Sequence, residues 1–234
     1  MSSILVGVLQ PGAREFGIGI TKPRRGVAMF NGSPKGVIVK SCLPIELAAE
    51  CFCSLLLDSV GVKSPPCGVV FENGAPHFGS IDVGSPNLMQ QFRVDAENLT
   101  IAEVQAIAEE LAQWAGFGRL IALDVLIRNG DRHPGNLLTD GVDYWAIDHG
   151  RALELQPYGY HKSYRIVQHY TDPLTCANLE ASAISNALTI PADCSNFARE
   201  ELLTHSLLSM YAKPFADMVA KWQPTLAASL KGLL

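Results

Sequence analysis

Residues 124–152 read DVLIRNGDRHPGNLLTDGVDYWAIDHGRA, and this stretch decides the fold. Its first residues continue a helical pattern, and the polar loop NGDRHPGN follows, in which glycine and proline prevent the helix from continuing. Two short apolar runs separated by TDGVD predict a pair of strands, the second of which ends in Asp148-His149-Gly150. The pattern therefore predicts a helix, a polar loop and a hairpin that ends in a carboxylate.

Three side chains in this stretch suit the transfer of a phosphoryl group. Such a reaction needs a carboxylate to orient or deprotonate the acceptor hydroxyl, and oxygen ligands for magnesium. We predict that Asp131, Asn136 and Asp148 are the catalytic residues. Asp131 is the carboxylate that acts on the acceptor, and Asn136 and Asp148 are the magnesium ligands. Asp131 and Asn136 alone could be ordinary turn formers. The hairpin that carries Asp148 at the right distance favours a kinase site.

The other polar side chains of the stretch leave alternatives open. His133 is assigned to the nucleotide site, where bracing the loop by hydrogen bonds is favoured over acting as a base. Arg132 either contacts phosphate or pairs with a carboxylate of its own half of the chain. His149 is expected to pack, and Asp124, inside the preceding helix, is expected to anchor the loop.

The first part of the chain alternates apolar runs with glycine and proline, a pattern typical of strands. Asn31-Gly32 and Asn73-Gly74 are hairpin signals, and VIVK at 37–40 is a short strand that ends in a lysine. The run from Pro44 to Gly61 has apolar residues at helical spacing, with proline placed to open the helix and glycine to end it. These signals predict a small α+β lobe.

The character of the sequence changes at about Thr100. Thr100 and Glu103 form the capping box TxxE, and strong helix formers follow, interrupted at 116–118 by two glycines. Further helices are expected from Asn178 to Ala187 and from Asn196 onward. We therefore divide the chain into a nucleotide-binding lobe at 1–95 and a helical catalytic lobe at 96–234.

Several motifs resemble those of known kinases. DRHxxN at 131–136, followed by IDxG at 147–150, resembles the signature of the phosphoinositide 3- and 4-kinases and of the HipA-like kinases. Four further runs are more similar to the small bacterial and phage HipA-like domains: GITKP, VIVK, AAE…LLLDSVGVKSP and HFGS. The resemblance covers about residues 15–152. It implies an α+β, two-lobed protein-kinase-like fold, with a small β-rich N-lobe and a mainly helical C-lobe.

The same resemblance assigns roles to residues of the first lobe. Lys40 resembles the strand lysine that holds the α- and β-phosphates of ATP, and Glu50 resembles the helix glutamate that pairs with it. Glu46 lies one helical turn away and is an alternative partner. The roles given above to Asp131, Asn136 and Asp148 are those that the resemblance implies for the same positions.

A phosphate-covering loop is predicted between VAMF and VIVK. Gly32 and Gly36 would allow close approach of the backbone, and Ser33 and Lys35 lie between them. All four residues are assigned to ATP binding, and the family resemblance makes Ser33 a candidate autophosphorylation site. Either Asp82 or the neighbouring Gly79-Ser80 is a candidate for the hinge that meets adenine.

The composition is that of an ordinary globular chain, with 48% hydrophobic and 18% charged residues among 234 and a net charge of -5. These values argue against disorder, and the acidic balance disfavours binding to duplex nucleic acid. No run reaches the length of a membrane span, and the start of the chain lacks the basic residues of a secretory signal. A cytoplasmic protein with free, buried thiols is expected.

These observations together predict an ATP-dependent kinase that uses Mg²⁺ and transfers the γ-phosphate to a hydroxyl, with a protein Ser or Thr as the favoured acceptor. The resemblance implies a protein substrate and a regulatory partner or antitoxin, as in a toxin–antitoxin system. The acidic charge balance predicts that the chain makes no direct contact with nucleic acid. The alternatives are a phosphoinositide-type lipid kinase and a pseudokinase that binds ATP without transfer.

Overall fold

A computed structural model describes residues 3–16, 22–94, 99–154 and 161–233 of the chain. Strands dominate its first part and helices its second. The strands are β1 (Leu5–Leu9), β2 (Arg14–Glu15), β3 (Arg24–Phe30), β4 (Ser33–Lys40), β5 (Cys67–Glu72), β6 (Ala75–Ile81), β7 (Leu137–Thr139) and β8 (Tyr144–Ala146). The helices are α1 (Pro44–Ser59), α2 (Leu88–Gln91), α3 (Ile101–Gln113), α4 (Phe117–Leu126), α5 (Lys162–Tyr170), α6 (Pro173–Thr189), α7 (Asn196–Leu203), α8 (Ser209–Trp222) and α9 (Leu226–Leu233). Short 3-10 helices cover Pro134–Asn136 and Gln223–Thr225.

The strands of the first part close into a small barrel. They pair in the order β1-β5-β6-β4-β3-β2, and β3 also pairs with β1. The hairpin turns lie at the predicted places, where Asn31, Gly32, Asn73 and Gly74 all have positive φ angles of 47° to 82°, as primed turns require. Alternate side chains point inward and form a separate apolar cluster of Leu9, Ala28, Phe30, Val37, Val39 and Val70.

Helix α1 belongs both to the barrel and to the helical part. It begins at Pro44 and ends just before Gly61, whose φ is +85°, as the sequence predicts. Its buried face forms one cluster with α4 and α8, and the rings of Phe52 and Phe215 meet edge to face at 5.6 Å. The β-rich and helical parts therefore share a core. The division at residues 95 and 96 stays a prediction, because 95–98 lie outside the described residues.

The helical part departs from the predicted boundaries in three places. Helix α6 starts earlier than predicted, at Pro173, where Asp172 caps the first turn through the amide of Leu174 at 2.9 Å. Helix α5 was not predicted. The run from Asn196 is divided into α7, α8 and α9 rather than being one helix. The apolar run FGIGI at 16–20, one of the strand-like runs of the first part of the chain, lies almost wholly outside the described residues.

Two further features bear on the expectations from composition. No helix of the described ranges has both the length and the apolar character that crossing a membrane requires. Each of the cysteines is a free thiol, and Cys51 and Cys53 are fully buried in α1, where burial helps to raise the pKa of both thiols. For Cys51 the largest cause is its hydrogen bond with Cys67.

Candidate active site

A lysine and two carboxylates meet where β4, α1 and the end of β8 come together. Lys40 Nζ lies 3.0 Å from Glu50 Oε1 and 3.0 Å from Asp148 Oδ1. The second carboxylate oxygen of Glu50 accepts the backbone N–H of His149 at 2.8 Å. Glu46, the alternative partner, instead accepts the N–H of Leu43 at 2.9 Å and caps its own helix. The structure thus places Glu50, and not Glu46, beside Lys40.

Charge and burial act in opposite directions on this cluster. Burial by itself would lower the pKa of Lys40, but the carboxylates of Glu50 and Asp148 outweigh it and raise that pKa. Burial raises the pKa of Glu50, which is 3% exposed, while Lys40 opposes the rise. Burial would likewise raise the pKa of Asp148, but Lys40 outweighs burial and lowers it. The lysine is therefore held fully charged, and Asp148 stays ionised.

The Asp148 backbone turns at the aspartate itself. Asp148 has a φ of +64°, in the left-handed region that aspartate visits more readily than most residues. Gly150, two residues later, does not have a positive φ. A Cβ there would lie 3.4 Å from the Glu50 side chain, which is an ordinary van der Waals contact. The Asp148 side chain is 42% exposed, so part of it faces solvent.

Arg132 ties the polar loop to the hairpin from inside the protein. Its side chain is fully buried and forms a two-pronged pair with Asp124, with Nε to Oδ2 at 2.9 Å and Nη2 to Oδ1 at 3.0 Å. Nη1 donates to the carbonyls of Asn136 at 2.9 Å and Ile147 at 2.5 Å. Nη2 also donates to Nδ1 of His149 at 3.1 Å. All the N–H groups of the guanidinium are thus used.

The pairing of Arg132 decides between the two roles that the sequence left open. Arg132 binds a carboxylate of its own half of the chain, and Asp124 anchors the loop as expected. Asp124 also accepts from the side chain of Asn129 at 3.1 Å and contacts His161 Nε2 at 3.1 Å. Burial would raise the pKa of Asp124, but Arg132 and His161 outweigh it and lower that pKa.

His149 packs inside the same network. It is fully buried, and burial, with a smaller contribution from Arg132, lowers its pKa to about 3. The ring is therefore neutral, and its Nδ1 is the acceptor of the Arg132 hydrogen bond. Its Nε2 has no hydrogen-bond partner within the described ranges. This geometry agrees with the packing role expected from the sequence.

Asp131 belongs to the polar loop, and its carboxylate lies between two cations. Lys162 of α5 pairs with its Oδ1, and Arg151 lies 3.5 Å from its Oδ2. The side-chain nitrogen of Asn136 donates to the backbone carbonyl of Asp131 at 3.0 Å. This hydrogen bond fixes the orientation of the Asn136 amide group. Sequence reasoning missed both cations. Arg151 directly follows the Asp148-His149-Gly150 motif and could have been considered, whereas no local signal marks Lys162.

His133 braces the loop. Its Nδ1 accepts the N–H of Gly135 at 3.1 Å and so caps the 3-10 helix Pro134–Asn136. Burial is the main reason that its pKa is lowered, so the ring is neutral at pH 7. This contact agrees with the bracing role preferred from the sequence, and it places the ring beside Asp131.

The four residues assigned to the phosphate-covering loop are not brought to the site. Asn31 and Gly32 form the tight turn between β3 and β4, and Ser33 and Lys35 lie exposed at the start of β4. Because a strand rises about 3.3 Å per residue, the Cα atom of Ser33 lies about 23 Å from that of Lys40. Gly36 lies between the two ends, where its carbonyl accepts the N–H of Asp82 at 2.9 Å. The loop is at the wrong end of the strand to cover phosphates held by Lys40.

The end of the β3–β4 hairpin that lies opposite its turn is the end beside Lys40. Arg24 pairs with Val39, the neighbour of Lys40, and Phe16 donates its N–H to the carbonyl of Pro23 at 2.7 Å. Residues 17–21, between these points, lie outside the described residues, as does most of the GITKP motif. Asp82, the hinge candidate, directly follows β6, and its carboxylate pairs with Arg25 at 2.7 Å.

The donor set of the site fits a magnesium ion that arrives with a nucleotide. Among the residues that the structure describes, no group of three or more His, Cys, Asp or Glu side chains could hold a metal. Asp148 and the Asn136 amide are hard oxygen donors on adjoining segments, since Ile147 donates its N–H to the Asn136 carbonyl at 3.1 Å. Magnesium keeps several waters and binds through one or two protein ligands plus phosphates, which agrees with this sparse set.

The chain has a HipA-like kinase fold. The features that define this class of fold here are the barrel with its lysine–glutamate pair, the polar loop, and the hairpin that ends in aspartate. Two solved structures carry that likeness. The proinflammatory kinase CtkA of Helicobacter pylori has a TM-score of 0.59 at 14% identity, covering 97% of this chain and 99% of that one. HipA of Shewanella oneidensis MR-1, in a complex with HipB and operator DNA, has a TM-score of 0.60 at 8% identity, covering 96% of this chain and 68% of that one.

The likeness is one of fold, because both identities are low. Neither a protein-family model nor a curated protein sequence matches the chain. What the site does therefore has to be argued from its own residues.

Proposed function

We propose that this chain is an ATP-dependent kinase that transfers the γ-phosphate of Mg-ATP to a Ser or Thr hydroxyl of a protein. One observation carries the proposal: Lys40 contacts both Glu50 and Asp148 at 3.0 Å. This contact joins the strand lysine, the α1 glutamate and the hairpin aspartate at one point. Phosphoryl transfer depends on positioned charges more than on covalent chemistry, and the fold builds such an arrangement here.

The residues of the chain divide the chemistry between them. Lys40, held charged by its two carboxylates, is placed to bind the α- and β-phosphates. Asp131 orients the acceptor hydroxyl and takes its proton. As the acceptor oxygen bonds to the γ-phosphorus, the bond from that phosphorus to the β-phosphate oxygen breaks, and ADP leaves. The cation Lys162, which pairs with Asp131, keeps this carboxylate aimed at the acceptor side.

Asn136 and Asp148 would hold the magnesium ion. When bound, the ion would neutralise part of the charge on the phosphates. The chain contributes the rigidity of the two ligands: Arg132 donates to the Asn136 carbonyl and to that of Ile147, next to Asp148. These bonds fix the spacing between the two ligand-bearing segments before any ligand arrives.

A second candidate function is a protein that binds ATP without transferring it. The observation that favours it is the engagement of both carboxylate oxygens of Asp131, one by Lys162 and the other by Arg151. Cations that occupy both oxygens compete with an acceptor hydroxyl for this carboxylate. Turnover, and not binding, separates this candidate from an active kinase.

The test compares three substitutions of the same kind in the purified chain. Asp131→Asn should retain stabilisation by Mg-ATP in a thermal shift assay but lose transfer of labelled γ-phosphate to protein. Asp148→Asn should lose both. Asp140→Asn changes an exposed turn residue of the same hairpin, which accepts the N–H groups of Val142 and Asp143, and should retain both. Stabilisation by Mg-ATP with no turnover in the unsubstituted chain would select the second candidate.

A regulatory protein partner and a cytoplasmic location complete the proposal. The HipA structure contains HipB and operator DNA, which supports a search for a partner of this chain. Co-purification of the tagged chain from its native host, followed by mass spectrometry, tests whether such a protein exists. A role in a toxin–antitoxin system further requires that expression of the chain arrests growth and that the partner relieves the arrest.

A further inference from the structure

An apolar cavity of about 550 Å³ lies beside the polar loop that carries Asp131, and His133 and Pro134 of that loop are part of its lining. Residues of α2, α3, α5 and the polar loop line it, together with Leu99. Its apolar lining consists of Met89, Leu99, Val104, Ile107, Pro134 and Ile166. Its size is that of a pocket for a ligand and not of a packing defect.

The polar part of the lining connects the cavity to the catalytic loop. His133 and Lys162 line it, together with Arg165 and His169 of α5. Lys162 pairs with Asp131, so the cavity begins one side chain away from the proposed base. None of the lining residues that the structure describes is acidic. Whatever binds there lies within reach of Asp131 and meets basic side chains at the edge.

We propose that this cavity binds the acceptor, and that it selects a protein segment in which an aliphatic and an acidic residue lie close to the Ser or Thr that is phosphorylated. The inference rests on the proposed kinase function, whose acceptor class it specifies. An extended polypeptide places successive residues about 3.3 Å apart, so it can present a hydroxyl to Asp131 and an aliphatic side chain to the cavity. The carboxylate then meets the basic edge, which adds selectivity.

The cavity is open rather than sealed into the core. Leu99 is 46% exposed and the Lys162 side chain is 57% exposed, whereas Ile107 at the floor is 1% exposed. An apolar floor beneath an accessible edge suits one side chain of a partner entering from solvent. Residues 95–98 and 155–160, close in sequence to the lining, lie outside the described residues.

The test uses a synthetic peptide with an acceptor serine flanked by leucine and glutamate, and versions with alanine for leucine or lysine for glutamate. The unsubstituted chain should phosphorylate the first peptide with a kcat/KM about tenfold above either version, as expected for one aliphatic contact or one charge contact. Binding is measured separately by fluorescence anisotropy, with a peptide in which alanine replaces the acceptor serine.

Matched variants locate the effect in the cavity. Ile166→Ala should raise KM for the leucine-bearing peptide about tenfold while leaving kcat unchanged, whereas Ile101→Ala, at a 72% exposed position on α3, should not. His169→Glu should weaken binding of the acidic peptide and improve that of the lysine version. Gln168→Glu, an exposed neighbour outside the lining, should do neither. Circular dichroism and thermal unfolding confirm that each variant is folded.

The outcomes separate this inference from the kinase proposal. Phosphorylation of other proteins without preference for the leucine–glutamate peptide, or equal behaviour of Ile166→Ala and Ile101→Ala, overturns the acceptor site and leaves the kinase standing. Anisotropy that shows cavity-dependent binding of the peptide, in a chain that phosphorylates nothing, supports the site and overturns the kinase. If the chain neither binds nor phosphorylates the peptide, the proposed acceptor site is overturned.

Discussion

Glu50 and Glu46 are one helical turn apart, yet only Glu50 is within reach of Lys40. Glu50 is buried and binds both Lys40 and the N–H of His149. Glu46 is partly exposed and caps its own helix. The two positions therefore allow the same substitution to be compared in a buried ion pair and in a helix cap.

We predict that Glu50→Gln weakens ATP binding about 10- to 100-fold. The reason is that a charge-assisted hydrogen bond to a buried lysine contributes about 1.5–3 kcal/mol. Glu46→Gln should change ATP affinity by less than about twofold, because glutamine fills the same position of a capping box. Titration calorimetry with Mg-ATP measures both. Equal losses in the two variants would show that Lys40 does not depend on Glu50.

Arg132 shows why charge alone does not define a buried site. Its planar group bonds at once to Asp124, His149 and the carbonyls of Asn136 and Ile147. A lysine keeps the charge but cannot serve acceptors in these directions. The identity of the side chain thus determines how the loop and the hairpin are joined.

We predict that Arg132→Lys destabilises the protein by about 1–3 kcal/mol for each buried acceptor left unpaired, and lowers kcat more than it raises KM for ATP. Urea unfolding and steady-state kinetics measure the two effects. Arg199→Lys is the control, because Arg199 pairs with Glu200 on the exposed side of α7. Arg199→Lys should lower the free energy of unfolding by less than about 1 kcal/mol. A small effect at Arg132 would mean that the loop and hairpin hold their positions without it.

The sequence predicted the residues within one segment better than the contacts between segments. Asp131, Asn136 and Asp148 lie on one loop and hairpin, so their spacing along the chain largely sets their spacing in space. Lys162 reaches Asp131 from a helix beyond residues 155–160, and such a contact leaves no trace in local spacing. The residues assigned to the phosphate-covering loop lie far from Lys40 for a related reason. Glycines in a sequence indicate a turn, but they do not indicate at which end of the sheet the turn lies.

At the scale of helices, two kinds of signal differed in their reliability. Proline and glycine predicted both ends of α1, since each acts on its own backbone. Helix α5, with the sequence KSYRIVQHY, has few strong helix formers and a histidine cap at His161, so it depends on burial of Tyr164 and Val167 against the rest of the protein. Asp172-Pro173 was a readable start signal for α6.

Helices α4 and α6 approach closely at Gly118. A Cβ there would lie 2.4 Å from Ser182 Oγ and 2.9 Å from Ser182 Cβ, so any larger residue must push the helices apart. Helix α4 carries Asp124, the anchor of the catalytic loop. The contact between these two helices therefore affects the site although it lies outside it.

We predict that Gly118→Ala destabilises the protein by about 1–3 kcal/mol through overpacking, even though alanine favours a helix by about 1 kcal/mol over glycine. Ser182→Ala alone should change stability by less than about 1 kcal/mol. Combined with Gly118→Ala, it should recover part of the loss by removing the closer of the two clashing atoms. Urea unfolding of the two single variants and the double variant measures the coupling. Strict additivity would contradict the close approach.

At the scale of the molecule, helix α1 makes the β-rich and helical parts depend on each other. Its buried residues belong to one cluster with α4, α7 and α8, and the N–H of Ile4, ahead of β1, reaches Glu201 of α7 at 3.3 Å. The barrel interior alone has only a small cluster, too small to stabilise an independent unit. The glutamate that pairs with Lys40 is thus held in place by the last helices of the chain.

We therefore predict that the barrel and the helices unfold in one cooperative transition. Hydrogen exchange followed by mass spectrometry should show β3–β6 and α4 losing protection at the same urea concentration. Phe215→Ala, which removes the ring packed on Phe52, should lower both midpoints together, by about 3–5 kcal/mol of unfolding free energy. It should also weaken ATP binding, because α1 carries Glu50. Leu174→Ala, at a 69% exposed position of α6, should change neither. If the strands exchanged at lower urea than α4, the barrel would be a separate unit and the shared core would not govern the position of Glu50.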